Sequence, residues 1–527
     1  GNVASTSQSN NTISLKDQLA PTISGVVLAG NNTTIAVTFS EAVYNTNSGS
    51  GSLEVGDFEF SLNGGNATLS STTPSSISIS GNEYTLGISL SGTPDGSETL
   101  TVNPASSSIY DAARNVASTS QSNNTHSLFD QLSPTMTISA KDSSDQDLNT
   151  GLTTNDLYIN LIFTSSESTT NFDDTDISVS GGSLSEFGPA SGSGGPSTTV
   201  YTAKLTPTGS GTAVTRATSV SVSGNTFTDA AGNNNSTSNQ FNWTYDNEPP
   251  SLSSVSITSA DNADNTKAKV GNEITLSFTA SETIQTPTVT FLSGGAAITD
   301  TSITYTNTGG NNWTAKYTTD SNDTEGSITY SIAFSDIAGN AGTAVISGSG
   351  SVTFDKTVPT LSSVAIESDN AINNTTRAKF GNEITLSFTA SETIQTPTVT
   401  FLSDGNSINN SVSYANSGND WTAKYTVDTS DSDGQVSYKI EFSDIAGNDG
   451  ADVETDSSLF ADKTAPDFNA SQPAYSSIKI NTSTLKYTVT EDLSSGSITY
   501  TRTGGTADTN SPHVLNLAGD QLQSGSE

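Results

Sequence analysis

The run GNEITLSFTASETIQTPTVTFLS occupies positions 271–293 and returns unchanged at 381–403, 110 residues on. The copies diverge at the next position, Gly294 against Asp404. WTAKYT at 313–318 returns at 421–426, and NVASTSQSNNT at 2–12 returns at 115–125. A chain that copies itself at this spacing does not build one large core; each copy has to close its own. A shorter signature, Asp-x-x-x-Pro, sets the frame: Asp17 to Pro21, Asp130 to Pro134, Asp246 to Pro250, Asp355 to Pro359 and Asp462 to Pro466. Proline lacks the N–H that a central strand must donate, so it suits the entry of an edge strand. These stretches are read as linkers. They divide the chain into the tail of a preceding repeat (1–18), four complete repeats (19–132, 133–248, 249–357 and 358–465) and a truncated fifth (466–527).

Within a repeat the apolar residues fall two apart. Ile274, Leu276, Phe278 and Ala280 alternate with polar residues, as do Trp313, Ala315 and Tyr317, and Ile328, Tyr330, Ile332 and Phe334. This period predicts half-buried antiparallel strands. Clusters of Gly, Asn, Asp and Ser punctuate them. For the third repeat the pattern predicts seven strands, at 252–258, 272–280, 286–292, 301–306, 311–319, 327–335 and 343–354. Seven short strands in about 110 residues predict an immunoglobulin-like β-sandwich. The fold class is therefore all-β: tandem immunoglobulin-like sandwiches in an elongated array. Blades of a propeller would repeat at about 40–50 residues.

Composition narrows the chemistry. The chain has no cysteine and only two histidines, and 17 Lys and Arg against 54 Asp and Glu leave a net charge of −37. Disulfide frameworks, thiolate metal sites and cysteine nucleophiles are excluded. Such a charge repels nucleic acid, and no basic patch faces an anionic membrane. No window is apolar for long enough to insert in a bilayer. The opening at Gly1 and a single methionine, Met136, are expected of a processed piece or an internal fragment. His126 stands where the earlier copy has Ile13, and His513 lies in a polar stretch, so neither marks a catalytic site. No serine–histidine–aspartate pattern, phosphate loop or dinucleotide fingerprint is present, and no enzyme is expected. Trp313 and Trp421 alternate with other apolar residues and are expected in the core.

The acids are placed more regularly than the rest. One follows the second strand of each repeat: Glu41, Glu167, Glu282 and Glu392, with Glu491 in the truncated fifth. A second signature, Asp-x-Ala-x-Asn, follows the sixth strand: Asp111 to Asn115, Asp229 to Asn233, Asp336 to Asn340 and Asp444 to Asn448. In a seven-stranded sandwich the loops after strands two and six share the pole where the chain enters. Glu282, Asp336 and Asn340 are therefore expected near Asp246 and Glu248, and Glu392, Asp444 and Asn448 near Asp355. The same construction groups Asp17, Asp130 and Asp462 with their following repeats. Opposite them would stand the far pole of the preceding repeat, with Asp261, Asp264, Asp320, Asp323 and Glu325 in the third. Carboxylates so gathered repel one another unless a cation joins them. Calcium, which takes six to eight oxygen ligands, suits this donor set better than the tighter magnesium octahedron. Asp and Asn next to Gly also form ordinary turns, and that alternative stays open.

At these residues, FSEA or FTASE after the second strand, Asp-x-Ala-Gly-Asn after the sixth and an Asp-x-Thr-x-Pro linker, the chain resembles the bacterial Ig-like repeats of large secreted surface adhesins. The resemblance covers 19–466 and extends weakly to 467–527. It implies extracellular tandem domains forming a monomeric stalk, with calcium at the junctions and an unidentified surface receptor or glycan as partner. The first repeat departs from the pattern with DAARN, and its flanking linkers read DQLAP and DQLSP; the next linker reads DNEPP. A spacer in a large secreted hydrolase and a carbohydrate- or protein-binding module are the alternatives. The variable first or second repeat is the candidate reader, the second having the most irregular insertions, at 142–156 and 181–200.

Overall fold

The computed structural model describes residues 13–169, 171–190, 198–260, 262–298, 302–370, 375–408, 410–472, 486–502 and 504–525. These form two compact units. The first holds residues up to Pro250 together with Thr283–Gln285 and Phe334–Thr343; the second holds the remainder. No α-helix occurs among the described residues, and regular structure is almost wholly antiparallel strand.

The fourth repeat, in the second unit, shows the plan. One sheet runs in the order Leu361–Ser368, Glu383–Ala390, Asp420–Thr426, Ser413–Ser417. The other runs Arg377–Ala378, Val453–Ala461, Gly434–Glu441, Thr398–Ser403, Asn406–Ser407. By strand rank these are first-second-fifth-fourth facing seventh-sixth-third, the order of an immunoglobulin constant-type sandwich. Period two decides what lies between the sheets. Ile384, Leu386 and Phe388 stand opposite Tyr425, Ala423 and Trp421, all buried in one core with Phe401, Val436, Ile440 and Leu459. The intervening threonines and serines face water.

The other repeats follow the same plan. The third, in the same unit, has sheets ordered Leu252–Ser259, Glu273–Ala280, Asn312–Thr318, Thr304–Gly309 and Lys267–Ala268, Val352–Phe354, Gly326–Ala333, Thr288–Ser293, Ala296–Ala297. In the first unit, the second repeat packs Phe163, Phe172, Tyr201, Phe227, Trp243 and Tyr245 between its sheets. The first repeat packs Phe39, Phe58, Phe60 and Tyr84. The all-β, immunoglobulin-like expectation holds.

Three local expectations shift. The last strand of the third repeat, expected over 343–354, is regular only at Val352–Phe354. Before that the chain changes partners: Val345 bridges Ile332, then Ser349 runs parallel to Ser256. Glycines permit this crossing, because a side chain on Gly348 or Gly350 would collide with the carbonyls of Val255 or Ile257. The strand expected at 301–306 is Thr304–Gly309, and residue 301 lies outside the described residues. Of the tryptophans, Trp243 and Trp421 are buried, whereas Trp313 is half-buried.

Candidate metal centre

Each Asp-x-Ala-x-Asn segment folds into one tight loop, and the sequence explains why. In the fourth repeat the Asp444 carboxylate accepts from Asn448 twice, Oδ1 from its backbone N–H and Oδ2 from its Nδ2, both at 2.8 Å. The Asp444 N–H in turn donates to the Asn448 carbonyl at 3.0 Å. Asp111 with Asn115, Asp229 with Asn233 and Asp336 with Asn340 repeat both side-chain bonds at 2.7–2.9 Å. The residue before each Asn lies in the left-handed region: Gly232 at φ 95°, Gly339 at 95°, Gly447 at 88° and, in the first repeat, Arg114 at 74°. Glycine takes that conformation without strain, and arginine does not.

The Asn also reaches the linker. Asn448 Nδ2 donates to the Asp355 carbonyl at 3.1 Å, Asn340 Nδ2 to the Asp246 carbonyl at 2.8 Å, and Asn115 Nδ2 to the Leu19 carbonyl at 3.0 Å. Because each amide nitrogen faces acceptors only, these side chains brace the linker; they do not offer it an oxygen. The aspartates they hold are almost completely enclosed, Asp111 at 0% exposure and Asp444 at 1%.

The glutamate after the second strand completes the set. Asp17, Glu41 and Asp111 bring one carboxylate oxygen each to within 4.8 Å of the others; so do Asp130, Glu167 and Asp229, and so do Asp355, Glu392 and Asp444. Glu167 lies inside its strand, Ile159–Thr169, not after it, and one of its oxygens is shut off from solvent with no hydrogen bond. Burial, then the neighbouring aspartates, push the Glu41, Glu167 and Glu392 carboxyls above the ordinary glutamate value. Asp355 is raised by burial and by Asp444 and Glu325, against the lowering bond from the Thr357 N–H.

A further acid comes from the preceding repeat. Asp95 contributes to the shift at Glu167, and Glu325 to that at Glu392. Asp433 does the same at Glu491, alongside Asp462. Glu325 was among the acids expected opposite the entry pole. Asp95 and Asp433 were not singled out, although each precedes a sixth strand as Glu325 does. The linker lysines were also missed. Lys356 Nζ donates to the carbonyls of Ser321 and Asp323 at 2.9 and 2.7 Å, and the Lys356 N–H and Thr357 Oγ1 both bond Glu325. Lys463 and Thr464 grip the fourth repeat in the same way, through Thr429, Asp431 and Asp433.

Other expected residues stand apart. Glu248 is exposed and only its N–H bonds the Asp246 carboxylate. Asp264 turns its carboxylate to Thr266, Asp320 bonds its own loop, and Asp323 is buried. Asp261 lies outside the described residues.

Residues 130–245 match the family model of the bacterial Ig-like domain. The second repeat is thus similar to a bacterial Ig-like domain, and the other complete repeats share its sandwich plan. Domains of this family are usually extracellular and non-catalytic, and no helix among the described residues is long and apolar enough to cross a membrane. No curated protein sequence matches the chain. Among solved structures, a three-domain titin immunoglobulin fragment, an E-to-A variant, is similar over 62% of this chain and 98% of its own, at 10% identity and a TM-score of 0.25. An I-band fragment of titin covers 63% and 99% at 10% identity and 0.25, and the tandem Ig repeats of Dlar cover 41% and 99% at 12% and 0.14. At such scores the fold rests on the strand order described above.

Proposed function

We propose that this chain is a non-enzymatic extracellular repeat region of a bacterial surface adhesin, a stalk of four complete repeats whose linkers are stiffened by calcium. The observation that carries the reading is the recurrent triad of linker Asp, second-strand Glu and loop Asp, its oxygens within 4.8 Å of one another. Two oxygens on opposite sides of a calcium ion, each at about 2.3–2.6 Å, stand about that far apart. The donors are all oxygen, which favours a hard cation over zinc or copper. The unpartnered Glu167 oxygen and the raised carboxyls are what a site adapted to a positive ion presents. Asp355, Glu392 and Asp444 would hold the ion in the fourth repeat, and Glu325 would approach it from the third. Calcium there would tie the linker to the following repeat, while Lys356 ties it to the preceding one.

Calorimetric titration of the full chain with calcium tests this. Saturable binding is expected, reduced by one site in the Asp355→Ala, Glu392→Ala double variant, together with slower tryptic cleavage at the linkers in calcium than in EDTA. Absence of binding heat, with cleavage unchanged, would leave the acids as turn formers and the repeats as passive spacers.

A further inference from the structure

Inside the loop that grips Lys356 lie two polar atoms without partners. Tyr317, on the strand Asn312–Thr318, is 2% exposed, and its hydroxyl makes no hydrogen bond. Asp323 is 1% exposed; its Oδ2 accepts from the Asp320 N–H at 3.1 Å, and its Oδ1 accepts from nothing. The fourth repeat has the same arrangement. Tyr425 and Asp431 are buried, Asp431 Oδ2 accepts from the Asp428 N–H at 2.8 Å, and the Tyr425 hydroxyl and Asp431 Oδ1 are both unpartnered. Each ring is pinned against a phenylalanine, Tyr317 on Phe291 and Tyr425 on Phe401, with centroids 4.8 Å apart in both. A serine closes each loop nearby, Ser293 onto the Thr324 carbonyl and Ser403 onto that of Ser432.

The other repeats show that the two atoms belong together. Tyr317 and Tyr425 stand opposite Ile274 and Ile384. In the first and second repeats the corresponding isoleucines, Ile35 and Ile159, face Leu86 and Leu205. There the orphan carboxylate disappears as well. The first repeat buries Glu98 instead, and it accepts from the N–H groups of Ala67, Asp95 and Gly96 at 2.8–3.2 Å. The second repeat has no acid in 208–214. Hydroxyl and free carboxylate oxygen are thus present together or absent together. Buried polar atoms left unpaired are costly, and native folds satisfy nearly all of them through protein or ordered water.

We propose that the third and fourth repeats each hold one internal water molecule, accepting a hydrogen bond from the tyrosine hydroxyl and donating one to the free aspartate oxygen. Water is the ligand that satisfies both atoms, since it accepts and donates. A metal cation would give the hydroxyl proton no acceptor and would meet the Lys356 ammonium held on the same loop. An anion would meet the carboxylate. Burial and the Asp323 charge raise the Tyr317 hydroxyl above its ordinary value, so it stays protonated and donates. The water would brace the loop whose carbonyls hold the linker lysine, linking the sandwich interior to the grip on Lys356.

A high-resolution crystal structure of the full chain tests the site, and hydrogen exchange on the full chain tests its consequence. Density for one light atom within hydrogen-bonding distance of Tyr317 Oη and Asp323 Oδ1, and likewise in the fourth repeat, is expected. Tyr317→Phe should speed exchange at the Lys356 amide about five- to tenfold, the factor one net hydrogen bond implies, and leave Lys463 unchanged. Tyr425→Phe should do the converse, and in each variant the lysine amide should speed more than the amides of the sixth strand of the same repeat, Gly326–Ala333 or Gly434–Glu441, a difference that general destabilisation would not produce. A hydroxyl bonded directly to the carboxylate, or coordination geometry of a metal, would overturn the water. Exchange unchanged at both lysines would overturn the brace.

Discussion

Arg114 shows how one residue departs from its copies. The loops after the sixth strand put glycine in the left-handed region before the bracing Asn, and the first repeat puts arginine there at φ 74°. Arg114→Gly should therefore stabilise the first repeat by about 0.5–1.5 kcal/mol, the strain of a side chain in that region less the added freedom of the unfolded glycine. Thermal unfolding followed by calorimetry would register it, and a loss of stability would mean that the Arg114 side chain holds something worth more than the strain. Glu392 makes the second residue-scale case. Burial first, then Asp355, Asp444 and Glu325, raise its carboxyl above the ordinary 4.5. The folded state thus binds that proton more tightly than the unfolded one. The stability it confers is full below pH 4.5 and is lost as pH rises through the raised value. In EDTA, Glu392→Gln should be more stable than the parent at pH 7, with the difference closing as pH falls towards 4.5. In calcium the order should reverse, because the variant loses a ligand. Unfolding midpoints across pH in the two buffers would check both, and a variant destabilised equally in each would mark Glu392 as a structural residue only. These carboxylates were legible in the sequence because they recur once per repeat. Asp95 and Asp433 were less so, because the loops before the sixth strands differ in length and composition, and spacing alone does not align them.

Along whole strands, the inward face was legible wherever period two persisted. Ile384, Leu386 and Phe388 alternate without interruption, and all three are buried. The last strand of the third repeat was not legible in this way. AGTAVISGSGSVTF contains apolar residues at strand-like intervals, but its path depends on which neighbouring carbonyls it must pass. Gly350 lies at φ 78°, and a Cβ there would strike the Ile257 carbonyl. Gly350→Val should cost about 1–3 kcal/mol in backbone strain alone. It should also raise hydrogen exchange along Leu252–Ser259, the strand Gly350 passes, more than along Gly326–Ala333. Equal effects on both strands would mean the crossing is not the element that glycine protects. The parallel pairing of Lys267–Ala268 with Val352–Phe354 was also invisible in sequence, since two residues carry no period. Its consequence is larger than its length. It leads the chain directly into Asp355, whose N–H bonds the Ala268 carbonyl at 2.9 Å, so a two-residue pairing sets where the linker carboxylate begins.

For the molecule as a whole, a net charge of −37 makes ionic strength a test of where the charge matters. Exposed acids far apart are largely screened at about 0.1 M salt, where the Debye length is about 10 Å. Carboxylates gathered within 4.8 Å and partly buried are screened much less. If self-repulsion were spread evenly over the surface, sodium chloride would stabilise the metal-free chain nearly as well as calcium does. If it is concentrated in the triads, raising sodium chloride from about 0.02 to about 0.2 M in EDTA should recover only a small part of the stability that millimolar calcium gives, and magnesium should recover less than calcium because its octahedron demands shorter bonds. Calorimetry of the full chain in the four buffers separates the cases. The Asp355→Ala, Glu392→Ala variant should then lose the calcium increment in the transition that includes the fourth repeat while keeping its response to sodium chloride. Equal stabilisation by sodium chloride, magnesium and calcium would place the repulsion on the general surface and remove the case for the ion, leaving Lys356 and Asn448 as the groups that fasten the linker.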